Sequence, residues 1–245
     1  MKKQLGSIII AIILTLILWS CNKEKLLSKS EFEQAVFYEI FPEILDSIYF
    51  DIRLLPPPPP SPSILKEKGY DVESDYDQAY IDWKKSDEFI KIQNKWKKKR
   101  DSIKLDTTSI YLIVQDSVIG FSRADSTELK KHFRENNIVV DTIGTESNKD
   151  FRIDLTELNA SNKKIKFMYR SAFPEGRKFW RKKHDIYIAS KIGFNRILFD
   201  KTRSYGVLNF GYVMGILNGE GFRIFIKKNR KGKWVIDKIK ETWIS

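Results

Sequence analysis

The spacing of apolar residues changes along the chain, and each change marks an element. Ile8–Trp19 is an apolar run interrupted only by Thr15, preceded by Lys2 and Lys3 and followed by Ser20, Cys21, Asn22 and Lys23. From Ser28 the period becomes helical. Phe32, Val36 and Ile40 recur at i, i+4 and i+8. Ser28 with Glu31 forms a capping box, and Leu27 with Phe32 a hydrophobic staple. Pro42 breaks or kinks this pattern, and Ile44, Leu45 and Ile48 extend it, so residues 28–50 form an N-terminal helical segment. Pro56–Pro60 and Pro62 then place a stiff polyproline spacer within a linker over 51–70. Residues 71–245 carry the main domain. Tyr80, Trp83, Ile90, Trp96 and Ile103 trace the stripe of one long helix over 77–103, roughly 40 Å in length.

Beyond Ser109 the period is that of strands. Ile110–Val114, Ile138–Val140, Phe151–Leu155 and Ile165–Tyr169 are short β-branched and aromatic runs, with a short helix capped at Asp125 or Ser126 between the first two. The clearest run is the tail, where Ile186–Ser190, Phe194–Phe199, Tyr205–Met214, Phe222–Lys228 and Trp234–Trp243 are separated by turn residues. Short turns between consecutive strands predict an antiparallel meander over 186–244 with one face on the core. Gly206 and Gly211 inside a strand predict a bulge or bend, hence a curved sheet packed against helices. The fold class is α+β, and the layout is similar to cystatin-like and NTF2-like folds.

Composition narrows the chemistry. The only cysteine is Cys21, so 22–245 offer no disulfide, no thiol nucleophile and no cysteine zinc site. The formal charge is +12. Loss of residues 1–20 takes Lys2 and Lys3 and no acid, which leaves two positive charges fewer, +10. That surplus suits anionic partners such as lipid headgroups or wall polymers. Nucleophile elbows, phosphate loops, dinucleotide fingerprints and zinc-protease motifs do not occur in the sequence. No catalytic residue, cofactor or metal is assigned. Asp71, Glu73, Asp75 and Asp77 alternate like calcium ligands, but the central glycine and distal glutamate of such a loop are missing, so they read as helix-start acids.

Lys2–Lys3, the apolar run and Leu18-Trp19-Ser20-Cys21 resemble a bacterial lipoprotein signal, with Trp19 bulkier than usual at its place. The resemblance implies a signal peptide over 1–20, an acylated (palmitate-bearing) Cys21 as the first mature residue, and a tether over 21–27. It implies a lipid-anchored protein of the cell envelope, and Asn22, not being aspartate, directs it towards the outer membrane. The tail carries a second resemblance. Phe194, Phe199-Asp200-Lys201, Gly206-Val207, Tyr212, Gly215, Gly219, Gly221, Lys231-Gly232-Lys233-Trp234 and Trp243-Ile244-Ser245 resemble the C-terminal part of uncharacterised lipoproteins from Gram-negative envelopes. Many members carry Cys-Gly-x-x-Cys-Gly, where this chain reads Met214-Gly215-Ile216-Leu217-Asn218-Gly219. Without the cysteines, no redox or metal role attaches to that segment.

Two surface features are candidates for binding. The segment Gly215–Gly221 reads as a glycine-rich loop, with Tyr212, Asn218, Glu220 and Arg223 as its rim. Arg177, Lys178, Arg181 and His184, interleaved with Phe179 and Trp180, form a candidate anion patch. His132, beside Lys131, reads as a surface residue. The expected function is a non-enzymatic binding or structural role. The expected partners are the membrane through Cys21 and an envelope protein, wall polymer or anionic lipid, with no nucleic acid. The alternative is an envelope hydrolase with a site in the concave face of the sheet; His184 and Asp185 with Ser171 or Ser190 supply the residue types of a triad, but neighbours on a strand point to opposite faces, which places the His–Asp pair poorly. The anchor has a direct test. Intact-mass analysis of membrane-purified protein should show loss of residues 1–20 and added acyl mass, and Cys21→Ala should abolish both. A Cys21→Ala protein with normal mass that still partitions with membranes would refute the anchor.

Overall fold

The computed structural model describes residues 27–121, 123–142 and 150–245. The signal peptide and Cys21 lie outside the described residues. The chain falls into two units, Met1–Phe37 and Tyr38–Ser245. Helix α1, Lys29–Ile48, starts in the first. Its cap is the reciprocal pair that the pattern predicts: Ser28 N donates to Glu31 Oε2 at 2.8 Å, and Glu31 N donates to Ser28 Oγ at 3.2 Å. Pro42 does not break the helix. An interior proline costs about 3 kcal/mol. Phe41, Ile44, Leu45 and Ile48 around it are all buried, at about 1.5–3 kcal/mol each. Packing on both sides of Pro42 therefore outweighs the lost hydrogen bond.

The segment expected as linker contains structure. Ile52–Leu54 form a 3-10 turn, and helix α2, Pro62–Glu67, starts from the Ser61 cap. Pro56–Pro59 are exposed and Pro60 is half-buried, and the run is pinned at both ends. Trp96 Nε1 donates to Leu55 O at 2.8 Å, and the Tyr76 hydroxyl donates to Pro60 O at 3.0 Å. The long helix expected over 77–103 is two helices, α3 (Tyr76–Trp83) and α4 (Asp87–Leu105). Ser86 Oγ accepts from Phe89 N at 3.2 Å and starts α4 with Asp87 and Glu88 in its first turn. The break lets Trp83 turn into a small core with Leu65 and Ala79, against which Phe89 and Ile92 pack.

The sheet has seven strands: β1 (Ile110–Val114), β2 (Ile165–Tyr169), β3 (Tyr187–Phe194), β4 (Leu198–Phe199), β5 (Tyr205–Gly215), β6 (Asn218–Lys228) and β7 (Trp234–Ile244). The order is β2-β1-β3-β5-β6-β7, with β4 beside β5. The C-terminal part is the expected antiparallel meander, but β1 runs parallel to both β2 and β3, so the sheet is open and mixed. Parallel neighbours require a crossover, and the segment between β1 and β2 supplies it with helix α5, Arg123–Glu135. Gly206 and Gly211 cause no bulge. The register shifts lie between Tyr111 and Leu112, Val213 and Gly215, Gly221 and Phe222, and Phe225 and Ile226.

Each face of the sheet has its own cover. On one, Phe41 of α1 packs against Phe167 and Phe194, and the ring series continues through Phe210 to Phe222. Glu39 and Glu43 accept the Trp234 and Ile236 backbone N–H groups, occupying edge donors of β7. On the other face, Leu129 and Phe133 of α5 pack with Val140, Leu198, Val207 and Phe225. His132 is not on the surface as expected; it is 7% exposed, stacks on Phe225 at 4.0 Å and meets Asp237 at 2.6 Å.

Lys227 also bridges to Asp237. Burial pushes the Asp237 carboxyl up, but Lys227 and His132 outweigh it and hold it below the usual range. Asp237→Asn should cost about 1–3 kcal/mol at pH 7. A lowered folded pKa gives stability that is present above the unfolded value, about 3.9, and is lost as pH falls through the folded value. Urea unfolding should therefore show the gap between native and variant proteins closing in acid. A gap that persists there would rule out a charge-based bond.

Candidate functional site

Three glycines meet side by side on the α5 face of the sheet. Gly193 of β3 pairs with Gly211 of β5, and Gly211 pairs with Gly221 of β6. Paired residues share a face, so the row removes three neighbouring side chains at once. One row away stand Lys191, Val213 and Gly219. On the other side stand Asn195, Asn209 and Arg223, and α5 covers the sheet beyond them. The result is a trough of about 480 Å³ with Gln115 at its β1 side and Thr242 and Trp243 at its β7 side. Small-molecule sites typically hold about 300–1,000 Å³. A Cβ on Gly211 would meet nothing within 4 Å, so the space above the floor is open.

The β6 glycines serve a second purpose. A Cβ on Gly221 would lie 1.8 Å from Trp243 Nε1, and one on Gly219 would lie 3.2 Å from the same indole. The indole therefore lies directly on the β6 backbone, in the space that side chains at 219 and 221 would fill. It remains 45% exposed and forms one wall of the trough.

The polar groups around the trough differ in what they have left to offer. Arg223 is engaged. Its guanidinium donates to Asp125 at 3.1 Å and to Asn209 Oδ1 at 3.2 Å, and it lies 3.6 Å from Glu128. Asn209 Nδ2 donates to the same Asp125 oxygen at 2.9 Å. Asn195 Nδ2 donates to Gly120 O, which leaves its carbonyl oxygen. Among the described residues Lys191 makes no ion pair. Burial and the neighbouring Arg170 both push its ammonium below the usual lysine range. Among the described residues no carboxylate lines the trough.

The expected sites fare unequally. The Gly215–Gly221 loop is a hairpin with only Ile216 and Leu217 between the strands. Among the described residues the glycines with positive φ are Gly69, Gly176 and Gly232, so the glycines of this segment do not serve a turn. Tyr212 is not on a rim. It is 1% exposed on the α1 face, against Tyr49 and Phe50, and burial pushes its hydroxyl up to about 12. Glu220 pairs with it and shares that face, while Asn218 sits exposed at the hairpin. Only Arg223 reaches the trough.

In the anion patch, Arg177, Lys178 and Arg181 are exposed on or beside the short helix α6, Lys178–Arg181. His184 turns inward. Its Nε2 lies 2.9 Å from Phe179 O, and its ring packs against Phe173 and Phe179. The hydrolase grouping does not assemble, since the Ser171 hydroxyl donates to Asp116 and Ser190 is fully buried within β3. The acids expected at a helix start act as caps or bridges. Asp75 accepts from Gln78 N, Asp71 accepts from Ser74, and Glu73 meets Lys66. A second cavity of about 680 Å³ lies between Pro56–Pro58 and Trp96, lined also by Ile52, Leu55 and Ile92; of its cations Arg53 is paired with Asp51, and Lys95 and Lys99 are exposed.

The sequence reading missed Lys191, Gly193 and the role of Trp243. Gly193 and Gly211 lie 18 residues apart, and only the β3–β5 register makes them neighbours. The contact between Gly221 and Trp243 yields a measurable coupling. Gly221→Ala must displace the indole and should cost about 1–3 kcal/mol. In a Trp243→Ala background the same change should cost almost nothing, and equal costs in both backgrounds would show that the contact is not formed.

No protein-family model, no curated protein and no solved structure matches the chain.

Proposed function

We propose that this is a non-enzymatic binding protein of the cell envelope, held by a lipid on Cys21, that receives a small ligand in the trough over Gly193 and Gly211, beside Trp243. The trough carries the reading. It is the place on the sheet where side chains are missing in register while donors remain unspent around the gap. A row of glycines weakens a sheet, because it gives up side-chain packing and costs backbone entropy. Packing accounts for Gly219 and Gly221, which make room for Trp243. It does not account for Gly211, above which the space is open. A ligand surface does account for it.

The lining suits binding more than acid–base catalysis. General acid–base work needs a group that exchanges its proton near neutral pH. The trough offers amides, a hydroxyl, an indole N–H and two cations, one of which is locked to Asp125. The location rests on the lipoprotein-like start of the sequence, and the excess of basic residues accords with an anionic surface nearby.

A Cβ at Gly211 meets nothing within 4 Å, so Gly211→Leu projects a side chain into the trough and replaces a residue that weakens strands. The variant should melt at or above the native temperature. Saturation-transfer NMR with a library of flat aromatic fragments should give signals with the full-length native protein that Gly211→Leu loses. Equal signals from both proteins would remove the trough as the binding site.

A further inference from the structure

Resting on the trough as the binding site, we infer that its ligand is a flat organic anion, lying on the glycine floor beside Trp243 with its acidic group on Lys191.

The floor sets the shape. At Gly193 and Gly211 the sheet presents bare peptide planes, and Trp243 stands at one side where the β6 glycines admit its indole. A planar ring system fits such a slot, because it can lie along the backbone and meet the indole edge-on or in an offset stack. The trough of about 480 Å³ has room for a fused-ring molecule.

The charges set the class. Among the described residues the lining holds two cations and no carboxylate. Arg223 is neutralised by Asp125 and Glu128. Lys191 is not neutralised among the described residues. Close to it, Arg170 adds positive charge; its guanidinium donates to the carbonyls of Phe173 and Pro174 and lies over the Phe179 ring. A partly buried ammonium without a counter-ion is costly, and an anion relieves that cost. Burial and Arg170 already push this ammonium down, so a bound carboxylate, sulfonate or phosphate group gains an incompletely hydrated partner. Gln115, on the side of the floor away from Trp243, is a neutral donor for the remaining acceptors.

Two matched probes test the class and the site separately. Isothermal titration of the full-length protein with 2-naphthoate and with 2-naphthamide compares an anion with a neutral molecule of the same shape. The native protein should bind naphthoate at one site about tenfold more tightly than naphthamide, a difference of about 1.4 kcal/mol. Lys191→Met should erase that preference while naphthamide affinity stays the same, and Gly211→Leu should remove both. Equal affinities in the native protein, or a preference that survives Lys191→Met, would overturn the anion class and leave the trough in place as a site. Binding of both probes that survives Gly211→Leu would overturn the trough itself. A native protein that binds neither probe would overturn the flat-anion class.

Discussion

A carboxylate buried to 1% exposure must be matched, and Asp125 is the group on which the arrangement of the α5 face depends. Left without partners, a buried charge would cost several kcal/mol. Arg223 and Asn209 supply the match from adjacent positions on β6 and β5, directly opposite one another. That pairing ties the first turn of α5 to one row of the sheet. Further along the helix, Leu129, Phe133 and His132 continue over Val207 and Phe225, away from the glycines. The coverage of the sheet therefore ends at the Asn209–Arg223 row, and the next row is where Gly193, Gly211 and Gly221 stand. One electrostatic requirement keeps the helix off the glycine floor.

The two faces of β3, β5 and β6 divide the labour accordingly. Towards α1 the rows are Phe194–Phe210–Phe222 and Ile192–Tyr212–Glu220, large side chains that supply core packing. Towards the trough the same strands carry glycines, amides and cations. The strands can give up contacts on one side because the other is filled by aromatic rings from Phe41 to Phe222. The β7 wall of the trough is likewise held from outside. Ser245 and Gly219 exchange backbone hydrogen bonds at 2.9 and 3.2 Å, so the ladder continues past Trp243 and fixes where its indole falls.

Local features of the fold were legible in the sequence, and features that depend on distant register were not. The Ser28–Glu31 box and the alternation of Phe222, Ile224 and Ile226 are written in neighbouring residues, and the α+β class followed from the order of such runs. The parallel pairing of β1 with β2 and β3 has no local signature, because the crossover between them contains several short, weak elements. The break between α3 and α4 was hidden by a helical stripe that continues across it, although Ser86-Asp87-Glu88 is a start signal. Tyr212 looked like a rim residue because it precedes a glycine-rich segment. Its place in the core follows from facing Ile192, 20 residues earlier.

The glycines show best why the site was misplaced. Along the chain, Gly215, Gly219 and Gly221 crowd together and suggest a loop, since glycine is the residue that tolerates unusual turns. In the fold they lie in paired strands, and what they supply is the absence of a side chain. That absence acts across strands: Gly221 makes room for a tryptophan on β7, and Gly211 opens a floor shared with Gly193 on β3. Lys191 gains its role in the same way. In sequence it is one basic residue among many. It becomes distinct only because Arg170 comes close to it, the glycine row opens beside it, and the other cation of the trough is held by Asp125. Spacing within a segment could locate the strands, but the trough is a property of their register.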